Sequence, residues 1–473
     1  MAQRGVVAAG HPASAEAGVA ALRAGGNAVD GAVAAVVTSF VAEPLLTGLG
    51  AGGYLLVAPP GEQPELLDFF VSVPGRGAGV SPLPMTRVVV SFEDATQVFD
   101  IGASSCATYG APAGVAAAVE RFGRMPLTDL TAPAARLART GVRVNAMQAY
   151  VFGLLANVVD ATPEAAAQFL VDGRAPREGD LLRDPQLADA LDRLGAEGAE
   201  PFYTGDIARA VSERVCAGGG VLTPADLAAY HVVPRVPLRV DYRGREVFTN
   251  PPPSAGGTRL VRALAQLDAE PGAPDVAGIA AALAVGERAP APSAAGRLGS
   301  TTHVSVLDAD GWACSVTCSN GACSGVTVPG TGVHLNNMLG EHDLVGPAEP
   351  GQRLPSSMAP TVVRRAGAAE LVVGSAGSRR IRSALLQVLV NAIDRGMSLQ
   401  DAVDAPRLHV ESGIAYAEPG IDLAALEAVC GRVMVFDAPN LFFGGCQAVR
   451  RDPGTGAVTG GADARRCGAV AVA

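Results

Sequence analysis

The stretch TTHVSVLDADGWACSVTCS, residues 301–319, carries the strongest fold signal in the chain. Two runs within it, Thr302–Leu307 and Cys314–Ser319, have the β-branched content that is typical of strands. Between them lies Asp308–Gly311, a turn sequence that favours a β-hairpin. We therefore predict that these residues form two paired antiparallel strands.

The segment before this hairpin has a different composition. From about Glu270 to Gly299 it is rich in Ala, Pro and Gly, and its last part, RAPAPSAAGRLGS at 288–300, shows no clear periodicity. Such a composition is typical of a solvent-accessible linker. Thr301 would then stand where a flexible segment meets the first residue of a strand.

This position makes Thr301 a candidate nucleophile. A threonine hydroxyl reacts well only when a base lies beside it, and an α-amino group with a pKa near ~8 is such a base. Cleavage of the Ser300–Thr301 bond would place both groups on one residue. A Thr-Thr pair at the start of a strand is by itself an ordinary sheet former, so this hypothesis depends on the rest of the chain.

Composition excludes several classes of partner. The net charge is −10, from 46 acidic and 36 basic residues with no basic run, which argues against nucleic acid. The longest apolar run, Gly31–Ala42, is too short to cross a bilayer, so we interpret it as a buried helix. No secretory signal pattern is seen at the start, and we expect a cytoplasmic protein without a membrane partner. Aromatic residues make up only 4%, so the core should consist mainly of Ala, Val and Leu.

The cysteine pattern gives no sign of a metal site. Eight cysteines occur, at positions 106, 216, 314, 318, 323, 430, 446 and 467, without a CxxC pair or a histidine at zinc spacing. We predict reduced, buried thiols, no metal and no cofactor.

The remaining secondary structure follows from periodicity and from turn residues. One or two helices are predicted in Gly18–Ala42, with a break at the glycines before Asn27. The other predicted elements are a mostly helical region at 110–240, which includes Leu127–Arg139 and Gln186–Leu194, strands at Arg239–Asn250, Thr361–Arg364 and Leu371–Gly374, and a helix at Ser378–Arg395.

Blocks distributed over nearly the whole chain resemble the γ-glutamyltransferase family. They occur in the order found in that family, which is a more specific signal than any single block. They are HPASAEAGVAALRAGGNAVDGAVAA at 11–35, EPLLTGLGAGGYLLV at 43–57, LTPADLAAYHVVPRVPLRVDYRGREVFTNPPPSAGG at 222–257, TTHVSV at 301–306, PGTGVHLNN at 329–337, RLPSSMAPT at 353–361, VVGSAGSRRI at 372–381 and AVDAPRLHV at 402–410.

This resemblance implies an N-terminal-nucleophile hydrolase fold of the α+β class. Its two stacked antiparallel sheets lie between helical layers, as a four-layer αββα sandwich. The resemblance also implies autoproteolysis between Ser300 and Thr301. Residues 1–300 would form a large subunit that ends in the linker, and residues 301–473 a small catalytic subunit. The two subunits would stay associated as one αββα unit.

The same resemblance assigns roles to single residues. Thr301 would be the nucleophile, Ser319 its hydrogen-bond partner, and the backbone N–H groups of Gly377 and Ser378 the oxyanion hole. Ser378 stands where the family has a second glycine. Residues matching the substrate contacts of the family are Asn320, Ser356 and Ser357. His303 shares a strand face with Thr301, but the family uses the terminal amine as base, so we interpret His303 as structural.

Two positions depart from the γ-glutamyl-binding pattern. In LLDFFVSVPG, residues 66–75, Phe69 and Phe70 occupy the place of the arginine that binds the substrate carboxylate in the family, and the next arginine is Arg76. Met338 replaces an amide-bearing residue, and the acidic position is Glu341. Loss of an arginine–carboxylate contact costs several kcal/mol in a partly buried site, so glutathione is disfavoured. Phe70 and Met338 would favour an apolar acyl group, while Glu341 and the paired serines would hold a polar end.

The short segment His342–Pro355 predicts an open cleft without a lid, as in the cephalosporin-acylase-like branch of the family. The leading hypothesis is a hydrolase or acyltransferase that acts on a small-molecule amide through an acyl-Thr301 ester. Three alternatives stay open. They are a true γ-glutamyl hydrolase or transferase, a natural-product tailoring enzyme that cleaves an acyl C–C bond, and an uncleaved binding protein.

Overall fold

In the computed structural model, residues 3–92, 95–285, 300–341 and 348–473 are described. The protein folds into four layers in the order helices, sheet, sheet, helices, as the resemblance implied. The structure is that of one continuous chain in which Ser300 is joined to Thr301.

The first central sheet has seven strands, and every neighbouring pair is antiparallel. Its strands, from edge to edge, are β22 (Ala469–Val472), β1 (Gly5–Ala9), β11 (Thr301–Asp308), β12 (Ala313–Ser319), β2 (Gly52–Ala58), β3 (Glu65–Phe69) and β8 (Val233–Arg235). The predicted hairpin at 301–319 is thus the β11–β12 pair at the centre of this sheet.

The second central sheet has six antiparallel strands and faces the first. Its strands are β21 (Val458–Ala462), β20 (Gly445–Arg451), β16 (Ala368–Ala376), β15 (Thr361–Arg365), β10 (Arg245–Thr249) and β9 (Leu238–Tyr242). The smaller sheets contain β4 (Thr86–Phe92) with β5 (Ala95–Ile101), β6 (Val142–Arg143) with β7 (Leu181–Leu182), β13 (Thr327–Val328) with β14 (Val333–His334), and β17 (Leu408–Glu411), β18 (Ile414–Ala417) and β19 (Arg432–Val435).

Helices cover the outer face of each central sheet. On the side of the first sheet lie α1 (Pro12–Arg23), α2 (Ala28–Ala42), α3 (Ala111–Phe122), α4 (Leu127–Thr140), α5 (Ala146–Leu154), α6 (Ala156–Val159), α7 (Pro163–Phe169), α8 (Pro185–Glu197), α9 (Glu200–Tyr203), α10 (Asp206–Ala217) and α11 (Pro224–Ala228). On the side of the second sheet lie α12 (Ala255–Asp268), α13 (Val276–Val285), α14 (Ile381–Ile393), α15 (Leu399–Asp404) and α16 (Leu423–Cys430).

Small residues allow these layers to approach closely. A Cβ atom added at Gly18 of α1 would lie 2.8 Å from the carbonyl oxygen of Gly31 in α2. A Cβ at Gly374 of β16 would lie 2.0 Å from the His303 ring across the two sheets. The two faces of β11 differ accordingly, because Val304 and Val306 belong to the core beneath α2 whereas His303 faces the second sheet.

Several predicted elements need correction. Arg239–Asn250 is not one strand but the β9–β10 hairpin, which turns at Arg243 and Gly244. Part of the predicted linker is helix α13, while residues 286–299 lie outside the described part. The helix predicted to start at Ser378 begins at Ile381, after the 3₁₀ turn Ser378–Arg380.

The apolar run Gly31–Ala42 lies wholly within α2, where every residue is buried. In the described ranges, no helix combines the length and the apolar character that a bilayer span requires. Five cysteines are buried, but Cys216 is exposed and Cys430 and Cys467 are partly buried, so the expectation of buried thiols was wrong for these three. All eight are free thiols.

Candidate active site

Thr301 is the first residue of β11 and pairs directly with Ser319, the last residue of β12. Its hydroxyl donates a hydrogen bond to Ser319 Oγ at 3.2 Å. The Thr301 residue is only 4% exposed, so this contact is made in a largely desolvated environment. The hairpin register therefore brings together the two hydroxyls that the sequence had placed in one site.

Ser319 also contacts the bond that is predicted to be cut. Its hydroxyl donates to the carbonyl oxygen of Ser300 at 2.6 Å, and its oxygen accepts the N–H of Gly321 at 3.1 Å. A hydrogen bond to a carbonyl oxygen stabilises the negative charge that develops when a nucleophile attacks the carbonyl carbon. Ser319 is thus placed between the attacking hydroxyl and the carbonyl under attack.

Two charged side chains that the sequence did not mark as catalytic lie at the start of β11. Arg466 Nη1 donates to the Thr301 carbonyl oxygen at 3.4 Å, and Thr302 Oγ1 donates to Glu43 Oε2 at 2.9 Å. Burial raises the pKa of Glu43 to about 7, although the Thr302 hydrogen bond and the positive charge of Arg466 oppose this shift. For Glu43, in the block 43–57, the sequence favours a role in the fold over a role as catalytic acid, and nothing in the local sequence singles out Arg466.

Gly377 and Ser378 follow β16 directly. Gly377 has φ +127°, and a Cβ there would lie 2.7 Å from the Cα of Gly444, so a side chain is excluded. Ser378 has φ +53°, a left-handed conformation that explains why the family has glycine there. Ser315 of β12 contacts Val373 and His303 of β11 lies over Gly374, so the end of β16 lies at the Thr301 end of β11. The oxyanion role of the two residues stays a prediction.

Asn320 is buried, and its side-chain N–H group donates to the carbonyl oxygen of His334 at 3.2 Å. Ser356 is also buried, and its hydroxyl accepts the N–H of Met358 at 3.0 Å. Ser357 is partly exposed. In the uncut chain the first two side chains thus serve local structure, and the roles of all three in substrate binding stay predictions.

Phe70 follows β3, two strands from β12, and its ring stacks on Tyr54 with centroids 5.5 Å apart. Phe70 and Met338 are both buried in the core between the sheets, being 1% and 2% exposed. Glu341 Oε1 lies near Gly321, where an added Cβ would be 3.0 Å from it, and the N–H of Gly321 donates to Ser319. Phe70 and Met338 are therefore core residues in this structure, and their role as an apolar wall for the substrate stays a prediction.

His303 has the contacts of a structural residue. Its Nδ1 lies 2.7 Å from Thr317 Oγ1, and its Nε2 lies 2.9 Å from Ser305 Oγ. Burial lowers the pKa of His303 to about 3, so the ring is neutral at physiological pH. These contacts lead away from the Thr301 hydroxyl and agree with the structural interpretation.

Other features of the described ranges do not belong to this site. A cavity of about 610 Å³ is lined by the β4–β5 hairpin, α10 and Ser324, and Thr301 is not among its lining residues. Across these ranges, no group of three or more His, Cys, Asp or Glu side chains is arranged to hold a metal ion. Residues 342–347, the first six of the fourteen in the predicted lidless segment 342–355, are outside the described part.

The sequence matches the family model described as Gamma-glutamyltranspeptidase over residues 14–277 and 279–473. Among curated proteins, it is 31% identical to the Acylase ACY 1 proenzyme of Pseudomonas sp. (strain SE83), with 97% of this chain and 92% of that protein covered. It is also 31% identical to the Glutathione hydrolase proenzyme of Escherichia coli (strain K12), with 86% of this chain and 81% of that protein covered.

Among solved structures, the fold is similar to that of the cephalosporin acylase from Bacillus halodurans. The TM-score is 0.85 at 27% sequence identity, and the match covers 99% of this chain and 96% of that one. The four-layer arrangement described above is therefore shared over the whole length of both chains.

Proposed function

Since this chain belongs to the gamma-glutamyltranspeptidase family of N-terminal-nucleophile hydrolases, we propose that it is a proenzyme that cuts itself before Thr301. The mature enzyme is then an amidohydrolase or acyltransferase with Thr301 as nucleophile. The observation that carries this proposal is the chain of contacts from Thr301 Oγ1 through Ser319 Oγ to the Ser300 carbonyl oxygen. The relatives whose names include "proenzyme" support the processing step.

The cut is an intramolecular acyl shift. Thr301 Oγ1 attacks the carbonyl carbon of Ser300 while the Ser319 hydroxyl donates to the developing oxyanion, and the proton lost by Thr301 Oγ1 is taken up by the amide nitrogen as it leaves. The C–N bond breaks, which leaves Ser300 as an ester on Thr301 Oγ1 and frees the Thr301 amine. Water then hydrolyses the ester to give a carboxylate at Ser300 and a free hydroxyl at Thr301.

Turnover reuses the same hydroxyl. The neutral terminal amine of Thr301 takes the hydroxyl proton while Oγ1 attacks the substrate carbonyl, and the proton is delivered to the leaving amine. The acyl group remains on Thr301 until water or an acceptor amine takes it. The N–H groups of Gly377 and Ser378, at the end of β16, are the proposed donors to the oxyanion.

We infer that the acyl group is less polar than γ-glutamyl. Support comes from Phe70, which stands where the family has its carboxylate-binding arginine and stacks on Tyr54. Among the relatives, one is named an acylase and another a glutathione hydrolase, so sequence similarity alone does not select the substrate.

A pair of chromogenic anilides tests this specificity. We expect purified, cut protein to hydrolyse a phenylacetyl or hexanoyl p-nitroanilide with a kcat/KM on the order of 100-fold above that for γ-glutamyl-p-nitroanilide. The reason is that the α-carboxylate of the γ-glutamyl compound meets an aromatic ring where the family has an arginine. Stronger turnover of the γ-glutamyl compound would instead establish the runner-up, a true γ-glutamyl hydrolase or transferase.

Ser319 gives a test of the processing step. In Ser319→Ala the carbonyl oxygen of Ser300 loses its donor, and we expect the cut to slow on the order of 100-fold or more. Ser319→Thr keeps a hydroxyl and should still process. The measure is the amount of uncut chain on a denaturing gel over time after synthesis.

Thr317→Val is the matched control, since it removes a hydroxyl that lies two residues earlier on the same face of β12 and bonds His303. If Ser319→Ala were cut as fast as Thr317→Val, the proposed role of Ser319 as the donor to the Ser300 carbonyl oxygen would be wrong. Cleavage of an acyl C–C bond and the cytoplasmic location stay predictions, whereas membership of this enzyme family argues against the uncleaved binding protein.

A further inference from the structure

The first two residues of β11 are contacted by one buried cation and one buried carboxyl group. Arg466, 3% exposed, lies in the turn before β22 and reaches the Thr301 carbonyl oxygen. Glu43, 2% exposed, caps α2 and accepts the hydroxyl of Thr302. Arg466 thus contacts the backbone of Thr301, which carries the proposed catalytic amine, and Glu43 contacts the side chain of the next residue.

Other charged groups surround this pair. Asp463, from the same turn as Arg466, binds Arg407 at 2.6 Å and Arg465 at 3.2 Å, so its charge is largely balanced. Arg380, after the Gly377 turn, is a second buried cation. Burial lowers the pKa of its guanidinium, and repulsion by the nearby Arg466 lowers this pKa further. On β11 itself the His303 ring is neutral.

We propose that Arg466 is a positioning residue that keeps the terminal amine of Thr301 in its neutral, proton-accepting form, and that Glu43 opposes this effect. The inference rests on the proposed cut before Thr301, which creates the amine. A nearby cation lowers the pKa of an amine because it disfavours the protonated form, and a nearby carboxylate raises this pKa. Only the neutral amine can take the hydroxyl proton during catalysis.

The ionisation of the two side chains fits these roles. Burial lowers the pKa of Arg466 to about 10, so the guanidinium remains charged at neutral pH. Burial raises the pKa of Glu43 to about 7, so near neutrality its carboxyl group is partly protonated and offsets only part of the positive charge. Net positive charge therefore acts on the amine at the pH at which it must be neutral.

The chain offers a direct measurement, because it contains no lysine and all 36 of its basic residues are arginines. Amine reagents can therefore modify only chain termini. Trace labelling of the cut protein with acetic anhydride over a series of pH values, followed by mass spectrometry of the peptide that starts at Thr301, gives the apparent pKa of this amine. No substrate is needed.

We expect Arg466→Gln to raise this apparent pKa by about one unit relative to the wild type, and Arg466→Lys to restore most of the original value. Glu43→Gln keeps an acceptor for Thr302 and should shift the apparent pKa downwards. The pH dependence of turnover should move in the same directions. If Arg466→Gln does not fold, Glu43→Gln still tests the proposal, because it should shift the apparent pKa of the amine in the opposite direction.

Arg364→Gln is the control, since Arg364 is a buried arginine that binds the carbonyl oxygens of Pro59 and Glu62. Equal amine pKa values in the wild type and in Arg466→Gln would overturn the inference, as would a shift of the same size in Arg364→Gln.

Intact mass spectrometry distinguishes failure of this inference from failure of the proposed function. An unbroken chain removes the amine and with it both proposals, whereas a cut chain with the expected shifts and no anilide turnover contradicts only the proposed function.

Discussion

Thr301→Ala is expected to leave the chain in one piece and without activity. The change removes the hydroxyl that attacks the Ser300 carbonyl, and without the cut no terminal amine forms. Intact mass spectrometry should show the wild type as two chains of about 30 and about 17 kDa, in proportion to their lengths, and the variant as a single chain of 47.6 kDa. Turnover should fall by a factor of ~10⁴ or more, to background.

Thr301→Ser is the matched variant, because it keeps the hydroxyl at the same position. It should still be cut and should give the same two chains. A split Thr301→Ala chain, or a wild type that is fully active as one unbroken chain, would contradict the mechanism whatever the substrate is.

A second large effect is expected from Asp68→Asn. Asp68 is fully buried, and its carboxylate binds Arg235 Nε at 2.7 Å and lies 3.6 Å from Arg353 Nε. It also accepts the N–H of Phe70 at 2.9 Å. Asparagine leaves the two guanidinium groups without their anion, which costs about 3 kcal/mol or more for a buried pair. Asparagine still offers an amide oxygen to the N–H of Phe70, so the effect measured is that of the lost charge.

This loss is best measured by chemical denaturation in the Thr301→Ala background, where the chain is uncut and cannot separate into two pieces. Asp241→Asn is the control, because Asp241 and its partner Arg239 have side chains 70% and 53% exposed. That change should cost less than about 0.5 kcal/mol. A free energy of unfolding for Asp68→Asn as high as that of the control would show that the buried ion pair contributes no net stability.

The sequence predicted those elements whose signals are local. The hairpin at 301–319 carries alternating strand residues and an Asp–Gly turn, and its register alone pairs Thr301 with Ser319. The β9–β10 hairpin was missed because its turn uses Arg243, at φ +50°, where asparagine or aspartate is usual. Contacts with distant groups hold that conformation, including Asp394 and the carbonyl oxygen of Leu267.

Two further misses have a similar cause. Helix α13 is apolar on all sides because it packs against α12, α14 and α16, so the periodicity that marks a surface helix is absent. At the active site, Arg466 reaches Thr301 from 165 residues away, and Glu43 reaches Thr302 from 259 residues away. Only the folded sheets bring such residues together, and no local pattern signals them.

The order of strands in the first sheet has a consequence for how the enzyme must be made. Strand β1, near the start of the chain, lies between β22 and β11, and both of these come after residue 300. Because strands of the two pieces alternate within one sheet, we expect that residues 1–300 and 301–473 produced separately and then mixed would not give the active enzyme, since each would lack the neighbours that its strands require. Folding has to precede the cut, and a mature molecule that has once been unfolded by heat should not recover on cooling.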